Sequence, residues 1–144
     1  MPEMQKQDDE VLEYVDERMY FVPRFLKALA SYAPEVAKRF ADYYEGGRRD
    51  RYLKRKHKEL IFTAIGVATK SSRCIVHVIP AIRAGATREE VEEAVMVGIL
   101  ASAFYPNSVG LPYAAEYGMK VLEIDEKYRS GKPWEYLVPE EFRG

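Results

Sequence analysis

The sequence predicts an all-α protein. Apolar residues recur at helical spacing in one segment after another, prolines stand where first turns are expected, and glycine and Thr-x-x-Glu signals punctuate the joins. The opening segment, Asp8 to Tyr20, is acidic and places Val11, Leu12, Val15 and Met19 on one helical face. Pro23 suits the first turn of a helix over Arg24 to Tyr32, and Pro34 does the same for Glu35 to Tyr44. Gly46-Gly47 is the expected stop.

Arg48 to Lys58 is the most basic stretch of the chain. It leads directly into an apolar helix, so it reads as a solvated helix end with salt bridges to the acidic opening segment, not as a nucleic-acid surface. Leu60 to Ala68 and Ala94 to Tyr105 are apolar on nearly every side, and such helices must be enclosed by others. Ala94, Gly98 and Ser102 recur every fourth residue and form a small-residue ridge that permits close helix contact. A chain this short has trouble enclosing two such helices alone, so a homo-oligomer whose interface completes the core is expected. Between them, Ala84-Gly85-Ala86-Thr87-Arg88-Glu89-Glu90 combines a glycine C-cap with a Thr87/Glu90 capping box. Tyr105, Pro106 and Asn107 are expected to begin the last helix. Pro80 and Pro112 fall inside apparent helices, and each is expected to free the carbonyl four residues earlier and kink its helix.

The 144 residues suit one domain with one core, here 1–144. A formal net charge of −1 and a pI of about 6.2 exclude a globally basic nucleic-acid or membrane-surface binder. No run is long enough for a transmembrane helix, and no apolar stretch follows the first charges as a signal peptide would. A single cysteine excludes an intramolecular disulfide and suits a reducing, cytoplasmic setting. Two histidines and one cysteine fall short of a zinc constellation, and no phosphate loop or dinucleotide fingerprint calls for a cofactor.

The chemistry concentrates at Cys74-Ile75-Val76-His77, where a helix is expected to start at Ser71 or Ser72. In a first turn the backbone N–H groups and the dipole favour a thiolate at Cys74 and a neutral base at His77. Spaced at i and i+3, the two side chains would share one face. Burial as a small hydrophobe beside a core histidine is the alternative.

Lys58-Glu59-Leu60-Ile61, the Cys/His segment, Ala84 to Val91, and Phe104-Tyr105-Pro106 before a last helix together resemble the carboxymuconolactone decarboxylase family, which includes the alkylhydroperoxidase D-like proteins. The resemblance is strongest over 53–124, with 1–20 and 125–144 as peripheral extensions. It implies an alkylhydroperoxidase D-like helical bundle assembled as a trimer or hexamer. It also implies Glu59, Cys74 and His77 as catalytic residues. Arg73, Tyr105 and Asn107 would contact a small-molecule substrate. Peroxidase-type members carry Cys-x-x-Cys-x-x-x-His twelve residues after a Glu. Counted from Glu59, the first cysteine position is Ser71, the second is Cys74, and the histidine is expected at Val78, one residue after His77. Counted back from Gly85, His77 takes the family position and Arg73 replaces the second cysteine. In both counts the first thiol is missing. Thiol-dependent peroxidase chemistry then requires an external thiol reductant. Decarboxylase-type chemistry on a small unsaturated carboxylic acid or lactone would use Glu59 and His77 alone, with a cation such as Arg73 on the carboxylate. A non-catalytic helical scaffold is the third reading.

Overall fold

The computed structural model describes residues 2–69 and 77–134, all helix, turn or loop. Within them the order is α1 (Pro2–Met19), α2 (Arg24–Tyr32), α3 (Pro34–Arg48), α4 (Arg55–Thr69), α5 (Val78–Arg83), α6 (Arg88–Ala101) and α7 (Leu111–Arg129). The chain divides into two compact units, residues 1–55 and 56–144. No helix among the described residues is long and apolar enough to cross a membrane.

In the first unit α1, α2 and α3 pack on one another. The predicted stripe supplies its core: Val11, Val15 and Met19 are buried, with Phe21, Leu26, Ala30, Ala37 and Ala41. Leu12 is only half-buried. α3 does not stop at Gly46-Gly47 but continues to Arg48, whose guanidinium lies 4.3 Å from the Tyr44 ring centroid and donates to the Tyr44 hydroxyl. A glycine without positive φ costs a helix only about 1 kcal/mol, and that anchor offsets it. The basic stretch is likewise not simply a solvated helix end, because Arg48 and Arg55 are both buried. Arg55 caps the α1 terminus. Its guanidinium lies over the Tyr20 ring and donates to the Arg18 carbonyl, while its own N–H donates to Asp50. Sequence reading missed this because a charge run shows its sum and not which stem packs against an aromatic ring.

The second unit is built on α4, which opens at Arg55, and on α5, α6 and α7. Pro80 and Pro112 sit at the third position of α5 and the second of α7. At Pro112 the missing N–H would have had no intrahelical partner, so that proline interrupts no helical ladder and has no kink to make, whereas Val76, the residue four before Pro80, lies outside the described residues. The join between α5 and α6 forms as expected. Gly85, at φ 103°, donates to the Ile82 carbonyl and Ala86 donates to the Ala81 carbonyl, which together make a Schellman cap. Thr87 and Glu90 then form a reciprocal capping box.

α6 ends at Ala101, short of Tyr105, and the last helix begins at Leu111, not at Tyr105 to Asn107. The intervening turns are held by the Ser108 hydroxyl, which bonds the Ser102 and Tyr105 carbonyls, and by the Val109 N–H on the Ala68 carbonyl at 3.1 Å. Asn107 adopts φ 67°, a left-handed conformation that asparagine tolerates. The two apolar helices each have a covered side and an open side. Leu60, Val67, Val91 and Val95 are buried, whereas Ile61, Ile65, Met96, Val97 and Leu100 are about half exposed. Gly98, in the small-residue ridge, faces Ala64 and Val67 of α4 in the same chain.

Candidate functional site

α4 carries Glu59 on its covered face, with no exposure at all. A carboxyl group so enclosed is costly unless something facing it shares its charge or its proton. His77 does so. It stands as the N-cap residue of α5, is buried, and brings Nδ1 to 3.7 Å from Glu59 Oε2. At that separation a small approach forms a direct hydrogen bond. The neighbouring turn is fixed too, since the Thr63 hydroxyl donates to the Glu59 carbonyl at 2.9 Å. His77 is followed by Val78, Ile79, Pro80 and Ala81, all buried, so the start of α5 is anchored in the core.

Placing His77 opposite Glu59 bears on the two ways of counting the sequence. It is His77 that meets the acid, while Val78 is a fully buried core residue. The helix that His77 caps, α5, is described from Val78 onward. The expected start at Ser71 or Ser72 lies outside the described residues, as do Arg73 and Cys74.

Tyr105 and Asn107 are exposed, on the segment tied to Ala68. Ala68 is nine residues beyond Glu59, ~13 Å along the α4 axis. The hydrogen bond therefore places their segment at the far end of α4 from the acid. His57 is exposed. Phe62, one turn after Glu59, is a neighbour that sequence reading missed. Its ring centroid lies 5.5 Å from that of His77, with the planes 39° apart. The available signal was its i+3 spacing from the acid.

Among the described residues no group of three or more His, Cys, Asp or Glu side chains comes together to hold a metal ion. The described geometry is a carboxyl group and an imidazole facing each other in an enclosed setting, a pairing able to exchange a proton. No curated protein and no solved structure gives a significant match to the chain. A family model does match, over residues 34–115, more than half the sequence and including both Glu59 and His77. The chain belongs to the carboxymuconolactone decarboxylase family.

Proposed function

We propose that the protein is a thiol-dependent hydroperoxidase in which Glu59 and His77 relay protons to and from Cys74. The supporting observation is the fully buried Glu59 carboxyl group facing His77 at 3.7 Å, an arrangement costly to keep for packing alone. Cys74 is three residues from His77, so the covalent chain keeps their Cα atoms within about 11 Å. His77 takes the thiol proton, and the thiolate attacks one oxygen of the hydroperoxide. The O–O bond breaks, a sulfenic acid forms on Cys74, and the departing alkoxide or hydroxide takes the proton back from the relay. In either count the first thiol of the dithiol members is missing, so an external thiol condenses with the sulfenic acid and releases water. A second external thiol then frees Cys74 as thiol. Arg73, Tyr105 and Asn107 are the proposed substrate contacts, the last two only for a part of the substrate remote from the acid, since their segment is tied to the far end of α4.

The second reading, a lyase acting on a small unsaturated carboxylic acid or lactone, is favoured by one observation. The Glu59–His77 pair is already an acid–base unit without any thiol. We further propose that the exposed apolar faces of α4 and α6 are covered in a homo-oligomer in the cytoplasm.

Turnover of an organic hydroperoxide with and without dithiothreitol tests the first reading. Activity should require the thiol and vanish in Cys74→Ser, because a hydroxyl is a far weaker nucleophile at neutral pH. Activity on an unsaturated lactone acid that survives Cys74→Ser but fails in His77→Ala or Glu59→Gln establishes the lyase. Turnover indifferent to all three substitutions refutes both.

A further inference from the structure

We infer that Phe62 is a positioning residue for His77, holding the imidazole toward Glu59 and closing the pair off from water. α4 offers His77 two groups from a single turn. The Glu59 carboxylate stands at Nδ1, 3.7 Å away, and the Phe62 ring lies against the imidazole at 5.5 Å between centroids. Residues three apart on a helix are surface neighbours, so the acid and the ring reach the imidazole side by side. Their exposures differ sharply: Glu59 has none, His77 8%, and Phe62 38%. The Phe62 ring therefore spans from the enclosed pair to the surface, with the imidazole behind it.

An imidazole at a helix N-cap can take more than one rotamer, and a contact on the ring face selects among them. A flat ring at 39° restricts rotation about the Cβ–Cγ bond and leaves Nδ1 directed at the acid. This role rests on the proton-relay reading of the pair. It predicts behaviour of the resting protein, however, so it can be tested without any turnover.

The test is the rate at which diethyl pyrocarbonate modifies His77, measured by peptide mass spectrometry against the exposed His57 in the same molecule. In the wild type His77 should react far more slowly than His57. In Phe62→Ala the His77/His57 rate ratio should rise about five- to tenfold, the scale set by losing one aromatic contact. Phe62→Tyr should keep the ratio within about twofold of wild type, since it retains the ring. Ile65→Ala, which trims the same helix where it is half exposed, is the control for general loosening. A ratio unchanged in Phe62→Ala, a Tyr variant as reactive as the Ala variant, or an equal rise in Ile65→Ala would each overturn the inference. Absence of peroxide turnover in the wild type, with these ratios as expected, would instead count against the hydroperoxidase reading alone.

Discussion

Replacing Gly98 by alanine tests whether α6 and α4 are as closely packed as the fold requires. In an open helix the change stabilises by about 1 kcal/mol, because glycine pays the larger backbone entropy. At position 98 the added Cβ would overlap the Ala64 carbonyl oxygen, and would stand 3.0 Å from Val67 Cβ and 3.1 Å from the Ala64 carbonyl carbon. Two of these three atoms are backbone, so relief requires one helix to move off the other. Overpacking of this kind costs about 1–3 kcal/mol, and with rigid neighbours the upper end applies. Net of the helix-propensity gain, a destabilisation of about 1–2 kcal/mol is expected.

Two other glycines calibrate the result. At Gly118 the added Cβ meets Val95 Cγ1 at 2.7 Å and Ile99 Cδ1 at 3.3 Å, both side-chain ends that can turn, so the cost should be smaller. At Gly47, inside α3, nothing lies within 4 Å, and alanine should stabilise by up to about 1 kcal/mol. Urea midpoints at constant m-value report the three changes. A Gly98→Ala protein as stable as Gly47→Ala would refute the close α4–α6 contact.

Asp125 is fully buried on α7, bonded by Arg88 and by Arg129, which also donates to the Ala86 carbonyl. Asp125→Ala should cost about 3 kcal/mol in chemical denaturation, toward the low end for a broken buried pair because both arginines are a third exposed and can rehydrate. The Glu90 carboxyl is held below its ordinary value of 4.5, first by the Thr87 N–H and then by the Lys56 ammonium. Its folded-state pKa is depressed, so its contribution is complete above the unfolded-state value and is lost as pH falls through the folded one. A Glu90→Gln protein should therefore lose less stability than wild type on acidification below about pH 4.5, as read by thermal unfolding across pH. Sedimentation at micromolar concentration should show a trimer or larger; a stable, cooperatively unfolding monomer would reject the proposed covering of Ile61, Ile65, Met96, Val97 and Leu100.

The helices and their punctuation were legible because they rest on local chemistry. The Schellman glycine at 85 and the Thr87–Glu90 box are determined within a few residues, and both appear as expected. The errors arise where a local signal meets a contact remote in sequence or a longer ladder. Gly46-Gly47 looked like a stop, yet nothing in the local chain forces positive φ there, and Arg48 extends the helix by packing on Tyr44. Arg55 looked solvated because its partners, Arg18 and Tyr20, lie more than thirty residues away. Pro112 looked internal because helix starts are set by where the ladder begins, which apolar periodicity does not mark.

The candidate site divides along the same line. Glu59 taken alone is an ordinary helix-start carboxylate, and eighteen residues separate it from His77. No periodicity pairs them; only the family pattern does, and that pattern left the histidine register open between 77 and 78. Burial separates the two positions physically. At 78 the chain carries a β-branched apolar side chain, fully enclosed, and at 77 an imidazole beside a carboxyl group that has no access to water. Exchanging the two residues would put a polar ring into an apolar contact and remove the imidazole that faces Glu59. The one-residue departure from the peroxidase spacing is thus compatible with an intact acid–base pair. What distinguishes this chain chemically from the dithiol members is the first thiol, missing in either count, which would hand the second half of any thiol cycle to a reductant from solution.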